Sequence, residues 1–189
     1  MKDMLVQFIN LPLIPSLSKE GKENKIFHLF FVPLSKGDHR GSTMKIACDF
    51  HWEMGHRLPE HAGGCKNVHG HSYNMRVEID GEVQRNGMVM DFFDIKKIVQ
   101  PLVEKLDHSF LCSETDMLMK NFLAKAKMKC VLVPFQTTAE NIARYFLDAI
   151  RPRLKKVKHL RRISVRVAET ESSFAEAAEE IGEWRNLKI

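Results

Sequence analysis

Five of the nine histidines, His51, His56, His61, His69 and His71, fall within 21 residues of one another. Imidazole is the commonest metal ligand among side chains and titrates near neutrality, so this crowding points to metal binding or proton transfer. His69-Gly70-His71 opens a run that alternates through Tyr73, Met75, Val77 and Ile79. Residues two apart on a strand point to the same side, which lets both rings reach one ion. His56, upstream in GHRLPEH, can supply a third nitrogen. Three neutral imidazoles at about 2.0–2.1 Å suit Zn²⁺ and leave a fourth position for substrate. Cys65, four residues before His69, allows a second arrangement, a closed structural site with its thiolate as fourth ligand. A lone His-x-His also occurs on strand surfaces by chance, and spacing alone leaves these readings open.

Two further groups bear on the choice. Asp107-His108 follows an amphipathic stretch, and an adjacent carboxylate can orient an imidazole for acid–base work. Taken alone, the pair reads more simply as a helix-end Asp and a surface His. Glu169-Thr170 follows a clean alternation. Buried there, Glu169 could accept two N–H donors from a heterocycle, whereas Glu171, Glu176, Glu179 and Glu180 nearby suggest a solvated acidic tail. Thr137-Thr138 with Glu140 and Asn141 is adequately explained as a capped helix start.

The elements that must position these groups begin near Met44. Alternation predicts strands at 44–53, 70–81, 87–92, 129–134 and 160–168. Helical spacing predicts a helix at about 93–106, bent or shortened by Pro101, a shorter one at 115–127 and a long one opened by Thr138. Residues 54–68 read as a loop, and 171–189 as a tail that is acidic and then basic. Strands interleaved with helices in this order suggest an antiparallel sheet with helices on one face, an α+β domain over 44–189. Residues 1–43, whose apolar runs are broken by Pro12, Pro15 and Pro33, read as an irregular extension, with Met44 a candidate biological start. The extension lacks the basic, apolar and small-residue succession of a signal peptide.

Composition narrows the classes. With 189 residues, 28% charged and 44% hydrophobic, the chain has the balance of one globular domain. The longest apolar run is too short for a membrane span. Cys48, Cys65, Cys112 and Cys130 form no CxxC pair, against a zinc ribbon, and read as reduced cytoplasmic thiols. A net charge of +5 could suit an anionic small molecule or nucleic acid. Aromatic residues do not interleave with the basic ones, which disfavours an RNA-binding zinc module and leaves no nucleic-acid partner expected.

In order along the chain, GHRLPEH (55–61), CKNVHGHSY (65–73), GMVMDFFDIK (87–96), EKLDHSFL (104–111), TTAENIA (137–143) and VRVAET (165–170) resemble the 6-pyruvoyl-tetrahydropterin synthase family, including its 6-carboxy-tetrahydropterin synthase branch. The resemblance implies a tunnelling fold, with four antiparallel strands and two main helices per subunit. Such subunits close into an oligomeric barrel, usually a hexamer, with sites between subunits. It implies Zn²⁺ on His56, His69 and His71, a catalytic thiol at Cys65, a proton relay at Asp107 and His108, a pterin anchor at Glu169 and a pocket position at Thr138. The implied substrate is 7,8-dihydroneopterin triphosphate, with Arg57 or Lys66 candidate cations for its phosphates by proximity. The Cys65-x-x-x-His69 spacing resembles the carboxy branch, in which the side chain is cleaved to acetaldehyde during 7-deazaguanine (queuosine) synthesis. In the pyruvoyl branch only triphosphate is eliminated. The chain departs from the family pattern in a longer 112–136 segment and in ESSFAEA after Thr170.

Overall fold

The computed structural model describes residues 41–182, so the expectation for 1–43 lies, apart from its last positions, outside the described residues. The two longest alternating stretches form the centre. β1 (Thr43–His56) and β2 (His69–Glu82) pair antiparallel, from Thr43 opposite Glu82 to His56 opposite His69. Alternation sends Cys48, Phe50, Trp52 and Met54 of β1, and Tyr73, Met75, Val77 and Ile79 of β2, to the buried face. A slip of one residue would expose all of them, and this fixes the register. β1 runs past the expected 44–53 and carries His56 on its last position. The intervening loop holds a short 3-10 turn at Gly64–Lys66.

The strand expected at 87–92 does not form. Gly87 adopts φ 79°, a left-handed conformation open to glycine. Its N–H donates to the Gln84 carbonyl, whose own N–H donates to Met88 O, both at 2.9 Å. This local turn takes up the hydrogen bonds a strand would need. Asp91 then caps α1 (Phe92–Leu106), accepting from Phe93 N–H at 2.8 Å. α1 passes through Pro101 without ending. Pro101 and Lys97, whose carbonyl loses its partner there, are both exposed, so water can satisfy the orphaned oxygen.

β3 (Ser109–Ser113), α2 (Met117–Ala126), β4 (Cys130–Val133), α3 (Ala139–Leu154), β5 (Leu160–Thr170) and β6 (Ser173–Glu180) follow. The sheet order is β4-β3-β1-β2-β5-β6. β1 pairs with β3, and β3 with β4, in parallel, while the remaining pairs are antiparallel. The α+β architecture stands. The four-stranded antiparallel sheet is corrected to a mixed sheet of six strands, because β3 and β4 add a parallel pair at one edge. The acidic stretch read as a tail is instead β6, paired with β5 along Ser173–Glu180.

α1 and α3 bury Ile95, Val99, Val103, Ile142, Phe146 and Ile150 in the main core. β3 sends Leu111 into that core, while Phe110 and Cys112 meet Met119 and Leu123 of α2. Successive strand residues face opposite ways, so α2 covers the other face of the sheet. Among the described residues no helix is long and apolar enough to cross a membrane.

Candidate metal centre and active site

The β1–β2 ladder brings the histidines together. His56 stands opposite His69, and Met54 opposite His71, so alternation puts His56, His69, His71 and Tyr73 on one face. Gly70 is needed between the two histidines, because a Cβ there would stand 3.0 Å from the Met54 carbonyl oxygen. One ligand atom from each of His56, His69 and His71 lies within 4.8 Å of the other two, and no cysteine joins the group. His56 Nδ1 is 2.7 Å from Thr137 O, and His69 Nδ1 is 2.9 Å from Asn67 O. A carbonyl can only accept, so each Nδ1 carries the hydrogen and each Nε2 presents its lone pair. Outer bonds of this kind fix the tautomer of a metal-binding imidazole. Burial holds the His56 pKa below its ordinary value, although the Thr137 bond and the Glu169 charge pull the other way. The donor set therefore suits a divalent transition ion.

A carboxylate adjoins these imidazoles. β2–β5 pairing sets Asn74 opposite Ala168, which brings Glu169 beside Tyr73. The Tyr73 hydroxyl donates to Glu169 Oε1 at 3.2 Å and lies 3.3 Å from His56 Nε2. Glu169 Oε1 is itself 3.8 Å from His56 Nε2. Burial, then the Glu169 charge, drives the Tyr73 pKa upward, so its hydroxyl stays a proton donor. The ring stacks on Trp52 with centroids 5.1 Å apart.

Asp107 and His108 pair where α1 ends. Asp107 Oδ2 lies 2.9 Å from His108 Nδ1, and its Oδ1 accepts the Glu53 N–H at 3.0 Å. The Glu53 N–H, then His108, hold the Asp107 pKa below the usual carboxylate value. His108 sits at φ 51° and donates its backbone N–H to Glu53 O at 2.7 Å. Its exposed ring lines a cavity of about 530 Å³ together with Glu53, Gly55, Gly70, Ser72 and Lys129. Glu53, Gly55, Gly70 and Ser72 belong to the alternate set of strand residues, so this cavity opens across the sheet from the imidazole cluster. His71 is the one cluster member that also lines it.

Thus the structure brings His56, His69, His71 and Glu169 together and pairs Asp107 with His108. Cys65 lies half-buried in the 3-10 turn between β1 and β2. Thr138 caps α3, its hydroxyl accepting the Asn141 N–H at 3.4 Å. Arg57 is held by Asp116 through bonds of 2.6 and 2.7 Å, so its charge is already compensated, whereas Lys66 is exposed. Sequence reasoning missed Tyr73 and Thr137. Tyr73 reads in sequence as one more apolar position in an alternating strand, and its place two residues beyond His71 is the available signal. Thr137 acts through a backbone carbonyl, which no side-chain pattern reveals.

Solved structures share this fold. Plasmodium falciparum 6-pyruvoyl tetrahydropterin synthase superposes with a TM-score of 0.61 at 22% identity, covering 74% of this chain and 99% of that chain. An uncharacterised protein from Wolinella succinogenes superposes with a TM-score of 0.62 at 22% identity, covering 71% and 97%. These likenesses establish the tunnelling fold. The family model described as 6-pyruvoyl tetrahydropterin synthase matches residues 45–180, and the chain belongs to that family. Its curated relatives include the 6-carboxy-5,6,7,8-tetrahydropterin synthase of Haemophilus influenzae, 39% identical over 143 residues that make up 71% of this chain and 99% of the relative. The enzyme of the same name from Aquifex aeolicus is 31% identical over 159 residues, covering 72% and 98%.

Proposed function

We propose that the protein converts 7,8-dihydroneopterin triphosphate and one water into 6-carboxy-5,6,7,8-tetrahydropterin, acetaldehyde and triphosphate, within 7-deazaguanine (queuosine) synthesis in the cytoplasm. The observation that carries this reading is the grouping of three imidazoles and the Glu169 carboxylate on one sheet face. The relatives named for this activity support it. His56, His69 and His71 would hold Zn²⁺, which when bound supplies Lewis-acid polarisation of substrate oxygens. Glu169 accepts the 2-amino and ring N–H groups of the pterin as a two-pronged, charge-assisted contact. Cys65 removes a proton from the substrate side chain. His108, oriented by Asp107, delivers or accepts a proton on the other side.

The position of His108 across the sheet from Glu169 favours a site completed by another protomer, in keeping with a hexamer. Light scattering should then show six chains, or at least three, and a stable monomer at micromolar concentration counts against it. The deciding experiment is product analysis after incubation of the purified protein with 7,8-dihydroneopterin triphosphate. Acetaldehyde in step with triphosphate supports the proposal. Triphosphate without acetaldehyde moves the protein to the pyruvoyl reaction, and neither product returns it to a non-catalytic metal-stabilised module.

A further inference from the structure

Tyr73 touches both the prospective metal ligands and the prospective pterin anchor. It is fully buried, and its ring is fixed by stacking on Trp52 at an interplanar angle of 6°. Its hydroxyl has two neighbours, Glu169 Oε1 at 3.2 Å and His56 Nε2 at 3.3 Å. A hydroxyl has one hydrogen to give, and the carboxylate is the charged acceptor. Glu169 needs such a restraint. Its Oε1 stands 3.8 Å from His56 Nε2, close enough that a small rotation would bring the carboxylate into the coordination sphere of an ion on that nitrogen. Carboxylate oxygens bind Zn²⁺ readily, so an unrestrained Glu169 could fill the position left open for substrate.

We propose that Tyr73 is a positioning residue: its O–H bond to Oε1 sets the plane of the Glu169 carboxylate toward the pterin and holds it away from the metal ligands. The inference rests on Glu169 being the pterin anchor. Each carboxylate oxygen can accept more than one hydrogen bond, so Oε1 can keep Tyr73 while receiving one pterin N–H and Oε2 receives the other. With Oε1 pinned by a residue that cannot move, the carboxylate has one orientation to offer. A heterocycle with two adjacent donors gains from that orientation more than a heterocycle that has lost one of them.

The test compares two probes on the metal-free protein: pterin, which carries the 2-amino donor, and lumazine, which has an oxygen in its place. The parent protein should prefer pterin. Tyr73→Phe keeps the stacked ring and removes only the hydroxyl. It should weaken pterin binding about tenfold, the size expected for a hydrogen bond to a charged acceptor, and leave lumazine binding nearly unchanged, so that the preference shrinks. Elemental analysis and thermal unfolding of the zinc-loaded variant should still show the metal bound and the fold intact. Equal loss of both probes assigns Tyr73 a purely structural role and overturns the proposal, as does a pterin affinity equal to the parent's. A parent protein that binds neither probe overturns the pterin-anchor reading itself.

Discussion

Replacing Asp116 should destabilise the protein by an amount that depends on pH in a set way. Asp116 accepts from Arg57 Nε at 2.6 Å, from Arg57 Nη2 at 2.7 Å and from the Met119 backbone N–H at 3.2 Å, this last as the cap of α2. The side chains are 4% and 17% exposed for Asp116 and Arg57, so both have lost most of their water. Removing one partner of a buried pair costs about 3–5 kcal/mol. The residual access of Arg57 to water argues for about 3 kcal/mol, and loss of the cap adds about 1 kcal/mol. Asp116→Ala should therefore cost about 4 kcal/mol in all. Asp116→Asn keeps one neutral oxygen for the cap and Arg57 Nη2, and should cost about 2 kcal/mol. Arg57, first by its hydrogen bonds, depresses the Asp116 pKa below its ordinary value. A depressed carboxyl stabilises fully above its unfolded pKa of about 3.9, and that contribution fades as pH falls through the lower folded value. The penalty should thus be level from about pH 5 to 8 and shrink below about pH 4. Urea unfolding at one fixed protomer concentration, followed by tryptophan fluorescence, measures it, since Trp52 lies in the core. A penalty under about 1 kcal/mol, or one as large at pH 3 as at pH 7, would refute the reasoning. The same pair tests the sequence-level candidacy of Arg57: a phosphate ligand would show an Arg57→Ala loss in kcat/KM with little change in stability, whereas the bonded geometry predicts the reverse.

Three further expectations concern the site. His71→Ala should lose most bound zinc by elemental analysis, because two imidazoles hold the ion poorly; full occupancy would remove His71 from the ligand set. Cys65→Ala should keep zinc and the folded oligomer while turnover falls about 10²–10⁴-fold, the usual effect of removing a general base. Loss of zinc together with unfolding would instead make Cys65 a structural ligand. Asp107→Asn should lower kcat by about 10²-fold with little change in zinc content, since Asp107 touches His108 and Glu53 rather than the imidazole cluster; unchanged turnover would remove the pair from proton transfer.

What could be read from the sequence follows from where the physical signal is local. His69 and His71 are legible because strict alternation in β2 dictates which side chains share a face, whereas His56, read as a loop residue, joins them because β1 runs on and the antiparallel ladder sets it opposite His69. Asp107, His108 and Glu169 carry no such local signal. The residues alone suggested a helix end and an acidic tail, and the family resemblance supplied the functional reading. The geometry adds the reason Glu169 is no tail residue: it is the last inward position of β5 before the turn, held by Tyr73. β6 escaped notice because FAEAAEE is poor in β-branched residues and rich in Glu and Ala, which sheets disfavour. Pairing with β5 and ion pairs such as Arg166–Glu176 and Arg151–Glu179 hold it in place. β3 is buried at every position, so no alternation betrays it. The strand expected at 87–92 failed for the opposite reason: its alternating apolar residues have no partner strand, and the Gly87 turn and Asp91 cap claim its backbone.

The segment between His108 and Thr137 also has a place beside the imidazole cluster. β3, α2 and β4 form a parallel strand–helix–strand unit on the free edge of β1, anchored at Met54 and Gly55. Two links tie it to the imidazole cluster. Arg57, the residue after His56, grips the cap of α2 through Asp116. The chain leaving β4 then runs to Thr137, whose carbonyl accepts from His56 Nδ1 and whose hydroxyl donates to Arg57 O at 3.1 Å. His56 is therefore oriented from both ends of this unit. The position of Thr137 depends on where β4 pairs with β3, and that register depends on α2 filling the space over Phe110 and Cys112. Shortening α2 should loosen the Thr137 carbonyl, and with it the tautomer that leaves His56 Nε2 free to bind metal.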